Sequence, residues 1–183
     1  MKLIKILCPF LFLIFFINCK DDEKIGEISG PPSVSTFYFI RHAEKDRSDP
    51  GNIDPELDQT GLGRAMHWAE ILKEVPLQSI YSTDFARTSM TAAPTSVKLN
   101  VDVQYYDPQT IDVAQFKQDN LGKSVLVVGH SNTTPDFVNK IIGEEKYPAM
   151  DDTDNGSLFI VQIVNGVPTS QRLHFTCNCP KRK

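Results

Sequence analysis

The alternation of apolar and polar positions along the chain predicts a layered α/β sheet. Phe37–Arg41 and Ser124–Val128 read as short buried strands, aromatic or β-branched and too brief for helices. Leu77–Ser82 and Val101–Tyr106 are further strand candidates. Leu158–Val164, Asn165-Gly166 and Val167–Phe175 form the strongest hairpin signal in the sequence. Asp58 is placed to N-cap a helix reaching about Glu74, on which Ala65, Trp68, Ala69 and Leu72 share one apolar face. A second helix is expected to start near Thr83 and to break or restart at Pro94. A third covers Ile111 to Asn120. A fourth begins at Thr134 as N-cap, with Pro135 as its first residue, and ends at Ile142 with Gly143 as C-cap. Strand and helix thus alternate four times before the hairpin. The fold class expected is a three-layer α/β sandwich, with a mostly parallel central sheet, helices on both faces and a C-terminal antiparallel hairpin.

The first residues stand outside that pattern. Lys2 and Lys5 precede an apolar run from Ile6 to Ile17 that is too short to span a bilayer, which needs roughly 20 residues. The run closes on Asn18-Cys19 and then Lys20-Asp21-Asp22-Glu23, which resembles a bacterial lipoprotein signal. Asn18 departs from the usual small residue before the cysteine. Residues 1–18 are therefore expected to be a signal peptide, and 19–35 a tether lipidated on Cys19. The domain proper spans 36–176, and a basic tail spans 177–183. That places the protein outside the cytoplasm, anchored to a bacterial (outer) membrane; the alternative is a secreted or periplasmic soluble form. Cys177 and Cys179 flank one residue, a spacing that strains a disulfide, and two cysteines alone make no metal site.

Composition narrows the chemistry. The chain has 183 residues, 40% of them hydrophobic, which suits one globular domain. Its formal net charge is -4, and residues 1–18 contribute only positive charge. So acidic a body argues against a nucleic-acid surface, and an anionic ligand would need a local cluster of cations.

Such a cluster is present at the strand ends. An apolar strand has no structural use for Arg41-His42 at its close, because burying an unpaired guanidinium is costly. Ser124–Val128 likewise runs into Gly129-His130. In an open α/β sheet the carboxyl ends of the strands form the ligand crevice, so His42, Arg87 and His130 can converge there. Arg41 and Arg87 offer planar donor forks for phosphoryl oxygens. A neutral His42 held in one tautomer, its other nitrogen on a backbone carbonyl, could attack phosphorus in line, and a protonated His130 could share the equatorial charge. A metal site built from His42, His130 and Glu44 or Asp107 is disfavoured, since a divalent cation would sit beside two arginines. No cofactor is expected.

Four motifs in order carry a family resemblance. Arg41-His42-Ala43-Glu44-Lys45, Leu57–Ala65, Ser82–Ala92 with Arg87, and Val128–Thr133 with His130 resemble the signatures of the histidine phosphatase superfamily, the phosphoglycerate mutase-like fold. The resemblance implies a phosphoric monoester hydrolase that works without metal. His42 would be the phosphorylated nucleophile, and Arg41, Arg87 and His130 the phosphate pocket. Family members usually add an acid between the third and last motifs. Here Asp107, in Tyr105-Tyr106-Asp107-Pro108, is the candidate, at a shorter spacing than the family pattern; Glu44 and Asp84 read better as an ion-pair partner and a helix cap. Small phosphohistidine phosphatases manage without a dedicated acid. The chain lacks the length for the insertions of mutases, so hydrolysis of a small phosphorylated substrate or phosphoprotein is expected. Lys45–Pro55 and Glu144–Asp154 should rim the pocket. The alternative is an anion-binding surface lipoprotein of the same fold with little or no turnover.

Overall fold

The structure, a computed structural model, describes residues 33–179. The expected signal peptide, Cys19 and most of the expected tether lie outside the described residues. A six-stranded sheet has the order β3-β2-β4-β1-β5-β6, built from β1 (Val34–Arg41), β2 (Ser79–Ser82), β3 (Val103–Tyr105), β4 (Ser124–Gly129), β5 (Ser157–Val164) and β6 (Val167–His174). The first four strands in that sheet order are parallel; β5 and β6 run antiparallel at the edge. Four helices separate the strands: α1 (Gln59–Ile71), α2 (Ala86–Leu99), α3 (Val113–Asp119) and α4 (Thr133–Ile142). The expected three-layer architecture is the observed one.

Side-chain alternation in the two central strands explains the layering. Phe37, Phe39, Val125 and Val127 face α3 and α4, where they meet Phe116, Phe137, Val138 and Ile141. Ile40, Leu126 and Val128 face the other way, onto Trp68 of α1, its C-cap Leu72 and Ala92 of α2. Strands buried on both sides read as continuous apolar runs, which is why both were legible.

The topology sets the site. β1 and β4 are hydrogen-bonded neighbours, yet β1 leads through α1 to β2 on one side and β4 leads through α4 to β5 on the other. Their loops diverge, and such a switch point opens a crevice at the carboxyl ends. Register does the rest: Arg41 pairs with Gly129, and His42 N–H donates to the Gly129 carbonyl at 2.9 Å. The residues that follow, His42 and His130, therefore leave the sheet side by side.

Local chemistry differs from expectation at several points. β1 begins at Val34, inside the expected tether, because Val34 and Ser35 pair with Val164 and Ile163 of β5. Pro94 lies within α2 rather than ending it. Proline forfeits one helical hydrogen bond, but Thr88, Thr91, Ala92 and Thr95 are buried along the helix and hold it continuous. The N-cap of α4 is Asn132, not Thr134; Thr134 is buried and its hydroxyl reaches the Ile40 carbonyl at 3.5 Å. Asp58 does cap α1, accepting from Gly61 N–H at 2.8 Å. A Cβ at Gly61 would stand 2.0 Å from the Glu44 carbonyl oxygen, so only glycine lets the helix sit against the loop after β1. Asn165 and Gly166, both at positive φ, turn the hairpin. Cys177 and Cys179 form a disulfide with Cα atoms 5.1 Å apart, within the range a bridge needs.

Candidate active site

A cleft of about 530 Å3 opens at the switch point, lined among others by Arg41, His42, Lys45, Arg87, Asp107 and His130. The expected site residues are thus brought together.

His42 is buried and held from several directions. Its Nδ1 lies 2.7 Å from the Ala43 carbonyl oxygen, which can only accept, so Nδ1 carries the proton and Nε2 keeps its lone pair. Thr91 Oγ1 accepts from Ala43 N–H at 2.9 Å while donating to the Arg87 carbonyl, and Asn155 Nδ2 donates to the His42 carbonyl at 2.8 Å. Burial, reinforced by Arg41, His130 and Arg87 and opposed by the Ala43 bond, pushes the His42 pKa down to about 3. The imidazole is neutral at any ordinary pH, the form a nucleophile needs.

His130 is held by its other nitrogen. Its Nε2 is 2.9 Å from Thr83 Oγ1. The Thr88 hydroxyl donates to the carbonyls of Thr83 and Phe85, so it accepts from Thr83 Oγ1 at 3.0 Å. Thr83, its one proton spent on Thr88, accepts from His130 Nε2–H, leaving Nδ1 as the free nitrogen. Burial and the charges of Arg87, Arg41 and Lys45 push the His130 pKa down to about 4. The two rings meet edge to face, centroids 5.5 Å apart.

Both arginines are in place. Arg41 is only 2% exposed; Nη1 donates to the Asp151 carbonyl at 3.0 Å and Nη2 to Asp152 Oδ1 at 2.6 Å. Arg87 stacks its guanidinium 4.3 Å above the Phe85 ring and pairs with Asp54 at 3.3 Å. Each keeps a buried Nε–H that no protein acceptor takes. Buried donors without partners are costly, and here they belong to two cationic side chains that line one cleft.

The acids sort themselves by their contacts. Glu44 is held by Arg64 in a fork, from Nε at 2.9 Å and Nη2 at 2.6 Å, so it is the expected ion-pair partner. Asp84 is not a helix cap: Asp54, from the loop after β1, accepts from Ala86 N–H at 3.0 Å and does that work at α2. Asp107 lines the cleft, but its oxygens accept from its own loop, Gln109 N–H at 2.9 Å and the Thr110 hydroxyl at 3.1 Å. Nothing in those contacts turns it toward His42.

Sequence reasoning missed Lys45, Asp152, Thr83 and Asn155 as site residues. Lys45 stood in the quoted motif, and Asp152 in the acidic stretch expected to rim the pocket. Thr83 stood in the third quoted motif, whereas Asn155 carries no sequence signal of its own, because it acts through a hydrogen bond across the fold. A second cleft, of about 600 Å3, shares His42, Lys45 and Asp152 with the first and is otherwise lined mainly by Glu44, Asp46, Arg47 and Thr153. Both expected rim loops therefore border the site. Among the described residues no group of three His, Cys, Asp or Glu could hold a metal.

Comparison with known proteins bears on the motifs and the fold. A family model described as the histidine phosphatase superfamily (branch 1) matches residues 37–108, which carry the first three motifs. The structure of the protein histidine phosphatase SixA complexed with tungstate is similar at 15% identity over 76% of this chain and 96% of that one, TM-score 0.60. Agrobacterium tumefaciens SixA is similar at 22% identity over 69% and 90%, TM-score 0.53. Mycobacterial glucosyl-3-phosphoglycerate phosphatase is similar at 16% identity over 70% and 90%, TM-score 0.54. At such identities the likeness is one of fold. No curated protein matches the sequence. The family model thus covers the stretch with the first three motifs, and the solved structures share the fold.

Proposed function

We propose that this protein is a phosphatase that hydrolyses phosphate monoesters or phosphoramidates through a phosphohistidine on His42. The observation carrying this reading is the pinned tautomer: Nδ1–H on the Ala43 carbonyl, with Nε2 left as the nucleophile in a cleft that also holds Arg41, Arg87 and His130. The Nε–H donors of Arg41 and Arg87 would take phosphoryl oxygens. His42 Nε2 forms a bond to phosphorus as the bond to the leaving oxygen or nitrogen breaks, and water then hydrolyses the phosphohistidine, returning His42 and releasing phosphate. His130 Nδ1 can hold an oxygen only as a donor, so substrate binding should draw a proton onto it.

The leaving group needs a proton too. Asp107 was the expected donor, yet its oxygens are engaged by its own loop. That favours leaving groups that need little help, so phosphoramidates and aryl phosphates should turn over faster than alkyl phosphates. The same observation favours the second reading, an anion-binding protein with weak or no turnover. Rapid alkaline quench after mixing with phosphoramidate separates the two. A phosphohistidine that is absent from His42→Ala supports the enzyme, whereas phosphate binding without any labelled histidine supports the binder. Turnover that survives His42→Ala, or that chelators abolish, would sink the mechanism. We further propose that Cys19 is lipidated and tethers the enzyme outside the cytoplasm; metabolic labelling with a radioactive fatty acid, lost in Cys19→Ser, tests it.

A further inference from the structure

The phosphate pocket already contains an anion of the protein's own. Asp152 Oδ1 lies 2.6 Å from Arg41 Nη2, and its Oδ2 lies 2.6 Å from Arg47 Nη2. Arg41 is one of the two arginines assigned above to the phosphoryl group. A carboxylate on it holds a donor that a phosphoryl oxygen could use and sets a negative charge beside the place where a dianion must sit. The surrounding arginines hold the Asp152 carboxyl below the usual carboxylate range even though its surroundings partly desolvate it, so the charge is present at neutral pH.

The backbone around Asp152 is fixed without its side chain. The Asp151 carboxylate accepts from Thr153 N–H at 2.8 Å and from the Thr153 hydroxyl. Asp154 accepts from Ser157 Oγ at 2.7 Å and is paired with Arg172. Met150 N–H reaches the Ser131 carbonyl at 2.8 Å, and the Asp151 carbonyl accepts from Arg41. Within this anchored turn the Asp152 side chain is 64% exposed and spends both oxygens on the arginines. Rotation of the Asp152 side chain would free Arg41 Nη2, while Nη1 keeps its bond to the Asp151 carbonyl and the turn stays anchored.

Its position adds a second consequence. Asp152 borders both clefts, and His42 and Lys45 border both as well. The carboxylate thus stands with His42 and Lys45 where the two clefts meet.

We propose that Asp152 is an internal competitor for the phosphoryl group: it occupies Arg41 in the resting site, yields to the incoming oxyanion, and returns to help expel inorganic phosphate. This rests on the phosphatase reading of the same cleft. It makes Asp152 a residue that sets affinity, acting through Arg41 rather than touching the reacting atoms. A carboxylate that merely orients Arg41 would have the opposite effect when removed, so the sign of the change decides between the roles.

The test is inorganic phosphate binding by calorimetry, with steady-state hydrolysis of an aryl phosphate, on the full chain and on Asp152→Asn and Asp152→Ala. Two variants are used because an asparagine could still bond Arg41. Removing one negative charge near the oxyanion should tighten phosphate by roughly tenfold, with KM falling and kcat unchanged or lower as release slows. Phosphate bound equally or more weakly by both variants, with KM raised, overturns the proposal. If His42-dependent hydrolysis persists in that case, the phosphatase reading stands alone. Should the wild-type chain neither bind phosphate nor hydrolyse the ester, both fall.

Discussion

The ends of β1 and β4 are built to one plan and finished in opposite ways. Each is an apolar parallel strand running into a histidine, and register sets the two side by side. At the end of β1 the bond is local: His42 gives Nδ1–H to the carbonyl of the next residue and presents Nε2. At the end of β4 it is remote: His130 gives Nε2–H to Thr83, which follows β2, and presents Nδ1. A local tether fixes the ring against its own backbone, as a nucleophile that must attack along one line requires. A tether through a hydroxyl relay, Thr83 to Thr88, instead fixes the His130 ring against another strand end; each ring keeps its anchoring N–H whether or not its free nitrogen is protonated, so what differs is which nitrogen is left free. The difference teaches that the tethering partner, more than the histidine itself, assigns the role.

The comparison breaks most visibly at His42. His42→Ala should lower kcat/KM by on the order of 10^4-fold and abolish the trapped phosphohistidine, since no second nucleophile is placed as it is. His130→Ala should cost less, about 10^2-fold, the scale of losing one group that stabilises transition-state charge. Phosphohistidine should still form there, and its absence would mean that the roles are misassigned. Thr83→Val should be milder again, roughly 3- to 10-fold, the loss of one hydrogen bond. Because it frees the His130 tautomer, it should move the pH profile of kcat/KM as well as its height; a uniform drop at every pH would reduce Thr83 to packing.

The smallest effect is on stability. Folded His42 and His130 titrate at about 3 and about 4, below the 6.5 of an unfolded histidine. Below pH 6.5 the unfolded chain therefore binds more protons than the folded one, and stability falls as pH drops from there toward 4. Above pH 6.5 the contribution is complete. Wild type should lose more Tm between pH 7.5 and pH 5 than His42→Gln does, measured without phosphate. Equal losses would show that the fold does not hold the His42 ring neutral.

Much of this was legible in the linear pattern because short-range physics wrote it. Doubly buried strands must be apolar throughout, so Phe37–Arg41 and Ser124–Val128 announced themselves, and the polar pairs at their ends stood out as misfits. Asp58, Gly143 and Asn165-Gly166 were readable because caps and turns depend on one or two adjacent residues. Pro94 and Thr134 were misread for the converse reason. Their local preferences are real, but buried packing along α2 and the reach of Thr134 toward β1 outweigh them.

The sequence by itself determined the layer order, the two histidines at the strand ends and the cations around them, since each follows from residue type and spacing along one element. Only the tertiary structure decided which nitrogen of each histidine is free, that Asp54 rather than Asp84 serves α2, that Asp107 bonds its own loop, and that Asp152 sits on Arg41. Those facts join residues as far as 111 positions apart. A hydrogen bond is directional and good to a few tenths of an ångström, whereas sequence spacing fixes positions only within an element. The chain supplied the groups at the crevice, and the fold chose the partner of each.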